Sequence, residues 1–176
     1  FDIILSSMTD TPKRRESIDF SDAYCKIGLA LLVAKDSNIQ SPADLNQPGR
    51  KIVARLGTTA VDFVKTHFPK AELVLLDQNA ACLLEVTQKK ADAFIYDQLS
   101  ILKLHLAQPE NTRALLEPLQ TESWAMALRK DDTKPPRACP SCAAVSTRTG
   151  RSSRVNSSVP SISRVCIQVS SRLSRP

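Results

Sequence analysis

Histidine is almost absent from this chain: His67 and His105 are the only two among 176 residues. Both fall on predicted helices away from strand ends, where packing or surface roles suit them, and the sequence offers no nucleophile–base pair. Long apolar runs are missing too. The longest, Ile27 to Ala34, is strand-sized and far short of the ~20 residues a membrane-crossing helix needs. Cysteine is sparse. Cys25 and Cys82 lie in the globular part at positions expected to be partly or wholly buried, and Cys139, Cys142 and Cys166 lie near the end. Cys139-Pro140-Ser141-Cys142 has C-x-x-C spacing, but it has neither the two further ligands of a zinc site nor the βαβ context of a redox motif. No metal and no cofactor is expected.

Acidic residues stop at Asp132. Residues 1–133 carry a net charge of −2 and residues 134–176 one of +8, so the whole formal excess of +6 belongs to the tail. A near-neutral folded part argues against nucleic acid as a partner. The tail is rich in Ser, Arg and Pro, lacks Phe, Tyr and Trp, and its Val and Ile follow no sustained period. It reads as disordered over 133–176. It is either a genuine basic tail or an out-of-frame translation, and its abrupt onset favours the second. Phe1-Asp2-Ile3-Ile4-Leu5 has no initiator Met and no signal-peptide pattern, and resembles the middle of a buried strand. The chain reads as a fragment at both ends.

What is present is alternation. Strands are expected at 2–6, 28–34, 51–55, 72–76, 92–96 and 124–129, with a loop and strand over 112–119. Helices are expected at 58–67, 79–90 (capped by Asn79) and 98–108. Thr11-Pro12 and Ser41-Pro42 each pair a capping residue with Pro at the first helical position. Gln47-Pro48-Gly49 and Gly57 mark turns. Strands alternating with ten-residue helices predict βαβ units, hence an α/β fold with a mostly parallel sheet.

In such sheets ligands sit beyond the carboxyl ends of the strands, and three segments fall there. Ser6 to Arg14 follows the first strand with hydroxyls, backbone groups and a guanidinium suited to a carboxylate. Read alone, Arg14 is one charge in a Lys-Arg-Arg run. Gly57-Thr58-Thr59 places helix N-terminal amides at an anion site, or is simply a helix start. Asp97 follows a strand and opens a helix, so it can receive an ammonium or cap the helix. Together they make a receptor for the α-amino-acid head group.

The order of Ser6-Ser7-Met8-Thr9-x-Thr11-Pro12-x-Arg14, Asp19-Phe20-Ser21-Asp22-x-Tyr24, Leu56-Gly57-Thr58-Thr59, Ala91-Asp92-Ala93-x-x-x-Asp97 and Trp124-Ala125-Met126-Ala127-Leu128-Arg129-Lys130 resembles the periplasmic substrate-binding proteins of polar amino-acid ABC transporters. The resemblance spans about three quarters of the chain. It implies a type II periplasmic-binding-protein-like fold of two lobes, each a mostly parallel sheet flanked by helices, with the first lobe incomplete. Residues 1–34 would be part of lobe 1 with the first hinge strand, 35–123 lobe 2, and 124–132 the second hinge strand. Arg14 would clamp the ligand carboxylate with Thr9, the Ser7 backbone and Asp97 would meet the ammonium, and Thr58 with Thr59 would cover the carboxylate from the second lobe. The lobes would close about the hinge. Lys13 stands where an acid is common in that family, and Ala125 where Gly is usual. An incomplete first lobe would leave Ile3–Leu5 and Leu29–Val33 uncovered.

The resemblance implies a periplasmic receptor that captures an amino acid or similar zwitterion for an ABC permease, and not an enzyme. Two other readings use the same fold. One is the ligand-sensing domain of a membrane receptor. The other is a dehydratase or a transglycosylase-associated domain, for which Glu85 and Glu117 are candidates by elimination.

Overall fold

The computed structural model describes residues 3–131; the expectations for 133–176, including those for Cys139 and Cys142, lie outside the described residues. Along the chain come β1 (Ile3–Ile4), α1 (Pro12–Arg15), β2 (Ile18–Phe20), β3 (Cys25–Ala34), β4 (Lys51–Arg55), α2 (Thr59–His67) and β5 (Glu72–Leu76). Then follow α3 (Asn79–Thr87), β6 (Ala93–Asp97), α4 (Gln98–Ala107), β7 (Thr112–Leu115), β8 (Thr121–Trp124) and β9 (Ala127–Arg129). The chain divides into two compact units. One is built from residues up to Tyr24 and from Ala125 onward, the other from Cys25–Trp124. β3, in which the sequence reading places the first hinge strand, lies within the second of these units.

In the first unit β9 lies between β1 and β2, antiparallel to both. Ile4 and Leu5 are exposed, as the sequence reading expects of that segment. Ser21 ties the unit together. Its amide donates to the Met126 carbonyl, and its hydroxyl accepts from the Met126 amide. Asp19 fastens the end of β9 by accepting from Lys130 Nζ (3.0 Å) and the Asp131 amide (2.8 Å). The Lys130 bond, then the amide, hold its carboxyl below the usual carboxylate range.

The second unit is a sheet in the order β5-β4-β6-β3-β7, with β8 pairing the first half of β3. β4, β5 and β6 run parallel, and β3 is antiparallel to β6, β7 and β8. One strand thus runs against all the others, which makes the sheet mostly parallel with a single reversed insertion. β3 alternates between two cores. Leu29, Leu31 and Val33 pack with Ala60, Phe63 and Val64 of α2; Ala30 and Leu32 pack with Cys82, Leu83 and Val86 of α3 and Ile101 of α4. Leu29–Val33 are accordingly buried, contrary to the exposure expected for them, because α2 covers one face and α3 with α4 the other.

Other details also differ. Residues 124–129 form two strands, broken at Ala125–Met126, where the Ala125 amide turns to the Met8 carbonyl. The cap of α3 is Gln78, and Asn79 is its first helical residue, with a buried Oδ1 that has no hydrogen-bond partner among the described residues. That helix ends at Thr87, before Lys89 takes a positive φ of 58°. The Ser41-Pro42 signature opens a 3₁₀ turn, Pro42–Leu45, where the Asp44 carboxylate accepts the Gln40 and Ser41 amides at 2.9 Å.

Burial pushes the Cys82 thiol up to about 11. A thiolate-seeking reagent at pH 8 is therefore expected to leave Cys82 unlabelled until the second unit unfolds. Peptide mapping of labelled folded protein checks this, and rapid labelling of Cys82 would contradict the burial.

Candidate functional site

The segment after β1 is shaped by its own hydrogen bonds. Thr11 caps α1, its hydroxyl accepting the Arg14 amide at 3.3 Å, and Pro12 occupies the first helical position. Arg15 is used locally. It pairs with both carboxylate oxygens of Asp10 and lies 5.7 Å over the Phe20 ring. The Asp10 bonds, stronger than the opposing burial, raise its pKa. Arg14 is different: it is half-buried, and its Nη1 donates to the Thr9 carbonyl at 2.8 Å. Thr9 is buried and Ser7 exposed. The first unit thus brings Thr9 and Arg14 together and leaves the Ser7 side chain at the surface.

In the second unit the strand ends set the geometry. β4 and β6 are parallel neighbours, with Ala54 opposite Ile95, so the Gly57-Thr58-Thr59 turn and Asp97 emerge at the same sheet edge. Gly57 has φ of 76°, in the left-handed region that glycine adopts without strain. Thr58 is the N-cap residue of α2, but its hydroxyl donates back to the Arg55 carbonyl at 2.7 Å and does not cap. Thr59, half-buried, is the first helical residue. The positive end of α2 therefore opens at this edge.

Asp97 is only 7% exposed. It ends β6 and is the N-cap of α4, with Oδ1 accepting the Ser100 amide at 2.8 Å. Oδ2 takes no hydrogen bond among the described residues, so half of this carboxylate is committed and half is available. Two residues that sequence reasoning passed over share the edge. Arg55 donates to the Tyr96 hydroxyl (3.2 Å) and the Asp77 carbonyl (3.0 Å), placing a cation beside the turn. Gln98, adjacent to Asp97, bonds the Gly28 amide and the Leu116 carbonyl. Position next to the Gly57 turn was the only local signal for Arg55; Gln98 had none. His67 stacks on Phe63 at 4.1 Å, and His105 Nδ1 meets the Thr112 hydroxyl, so both serve packing. No group of three or more His, Cys, Asp or Glu able to hold a metal occurs among the described residues.

An α/β unit with a reversed strand inside its sheet, inserted in the chain between the two segments that build a second unit, defines the class of type II periplasmic-binding folds. Within that class, residues 1–137 match the bacterial extracellular solute-binding proteins, family 3, and the chain belongs to that family. It is 30% identical over 129 residues to the glutamine-binding protein of an ABC transporter in Bacillus subtilis, covering 73% of this chain and 46% of that protein. It is 32% identical over 110 residues to the histidine-binding periplasmic protein of Salmonella typhimurium, covering 61% and 42%. Among solved structures, an ancestral amino acid-binding protein, a precursor of cyclohexadienyl dehydratase, matches with TM-score 0.67 and 35% identity over 75% of this chain and 57% of that one. A binding component of an ABC transporter from Wolinella succinogenes, complexed with lysine, matches with TM-score 0.68 and 32% identity over 76% and 58%. The chain spans about half the length of the curated relatives it matches.

Proposed function

We propose that this chain supplies the head-group contacts of a receptor that captures an amino acid, or a similar zwitterion, for an ABC permease. The observation that carries the reading is Asp97: a buried carboxylate with one oxygen held by a helix amide and the other available, at the sheet edge where α2 begins. A buried anion so arranged suits an ammonium, and the α2 amides suit a carboxylate. In the first unit, Arg14 held against Thr9 offers a second carboxylate partner, and the Ser7 backbone is assigned to the ammonium. Relatives named for binding glutamine, histidine and arginine support an amino acid as the ligand class. The site acts by binding and not by turnover, in the periplasm, with no nucleic acid as partner.

Isothermal titration of the 176-residue chain with L-glutamine, L-histidine, L-arginine and L-lysine tests this. At least one is expected to bind, and Arg14→Ala is expected to weaken it by ~2–5 kcal/mol, by stranding the ligand carboxylate. Absence of binding across the panel would overturn the reading.

A further inference from the structure

Next to Asp97 lies an arrangement that the head-group contacts do not require. The last paired residue of β6 is Asp97, opposite Leu29 of β3. Beyond it the chain turns into α4, so the next position of the β6 ladder is empty of backbone. On its other edge Leu29 is satisfied: its amide donates to the Gln120 carbonyl at 3.0 Å, and its carbonyl accepts the Leu119 amide at 2.9 Å. Backbone groups alternate sides along a strand, so the Gly28 amide faces the vacated β6 side. Gln98 Oε1 accepts it at 2.7 Å, taking the place of the missing strand carbonyl. The same carboxamide donates from Nε2 to the Leu116 carbonyl at 2.7 Å.

Leu116 lies just past β7, on the opposite edge of β3 from β6, so the Gln98 side chain reaches across β3. It can do so because residue 28 is glycine. A Cβ there would sit 2.5 Å from Pro118 Cβ, 3.1 Å from the Gln120 carbonyl and 3.2 Å from Gln98 Oε1. Gly28 is thus a site of close approach from two directions. Its lack of a side chain leaves the space that Pro118 and the Gln98 carboxamide fill.

Two well-formed hydrogen bonds at the end of one side chain fix the backbone from which it springs. The peptide between Asp97 and Gln98 is the junction of β6 and α4, and its setting decides where the Asp97 carboxylate points. We propose that Gln98 is a positioning residue for amino-group recognition, strapping the β6–α4 junction to β3 and to the segment after β7 so that Asp97 Oδ2 is aimed at the ligand. This rests on the head-group reading of Asp97.

The test compares the full chain with its Gln98→Met variant, which keeps side-chain length and removes both hydrogen bonds. Each is titrated with L-glutamine, L-histidine, L-arginine and L-lysine, and with the same molecules lacking the α-amino group. For the amino acid that binds, the preference for the amino-bearing form is expected to fall by about tenfold in Gln98→Met, with little change in affinity for the deaminated analogue. A merely structural role would weaken both alike. Equal weakening of both, or an unchanged preference, overturns the strap and leaves Asp97's role standing. Failure of every amino acid to bind the unaltered chain overturns the head-group reading and the strap with it. If circular dichroism shows that Gln98→Met does not fold, Gln98→Glu carries the same comparison. It keeps an acceptor for the Gly28 amide, loses the donor to Leu116, and is expected to reduce the preference by a smaller factor.

Discussion

Replacing Asp97 by Asn is expected to lower amino-acid affinity by ~2–5 kcal/mol while leaving the second unit nearly as stable as before. The two effects separate because the two carboxylate oxygens do different work. Oδ1 accepts the Ser100 amide and starts α4. Asn offers the same carbonyl oxygen in the same place, and Asn and Asp are about equal as caps. Oδ2 carries the charge that would face the ligand ammonium. An ammonium brought to a site only 7% exposed loses its water, and a neutral amide returns too little to offset that loss. Asp97→Ala removes both functions, so it is expected to show the same loss of affinity plus ~1 kcal/mol of stability from the uncapped helix. Calorimetry for binding and thermal unfolding for stability read the two apart. Wild-type affinity in Asp97→Asn would mean that the carboxylate is a cap and nothing more.

The regular stretch from β4 to α4 was legible because period and punctuation agreed there: Gly57 at a positive φ, apolar runs of strand length, and helices with one apolar face. The strand ends, and with them Thr58, Thr59 and Asp97, followed from that order. Features set by distant partners were not legible. The break at Ala125–Met126 sits inside a continuous apolar run, and its cause is the Met8 carbonyl, more than a hundred residues earlier in the chain. β2 is three residues long and exists only because β9 pairs with it. Gln98 reads as an ordinary first-turn residue of a helix, since its partners lie 70 and 18 residues away. Arg14 and Arg15 are neighbours of the same type, and only the fold separates them: Asp10 and Phe20 occupy one, Thr9 holds the other. Distant partners decided the first three, and the two arginines were separated by neighbours only five residues away, which no periodic pattern singles out.

Phe94→Ala is expected to be the most destabilising single change in the second unit, at ~3–5 kcal/mol. Phe94 is fully buried at the middle of β6, paired with Val53 of β4 on one side and Leu32 of β3 on the other. Its ring fills the core between the sheet and the helices α3 and α4, with Cys82, Leu83, Val86 and Ile101 around it, and stacks on Tyr96 at 5.8 Å. Truncation leaves a cavity that paired strands on both sides prevent from collapsing, so the upper half of the range applies. A natural domain is stable by only ~5–15 kcal/mol, so the loss removes a large share of the total. The reactivity of the Cys82 thiol, which lines the same core, reports this unit's unfolding directly. Urea titration followed by Cys82 labelling should show the midpoint falling with the slope unchanged. A shift worth less than ~1 kcal/mol would show that the sheet and helices close over the gap. Tyr96 and Asp97 follow in the same strand, so the variant also reaches the site: with its stacking partner gone, Tyr96 loses its fixed position, and Arg55, bonded to its hydroxyl, loses a tether. Amino-acid affinity measured where the variant is still folded is expected to fall, but by less than in Asp97→Asn, because the charge itself remains.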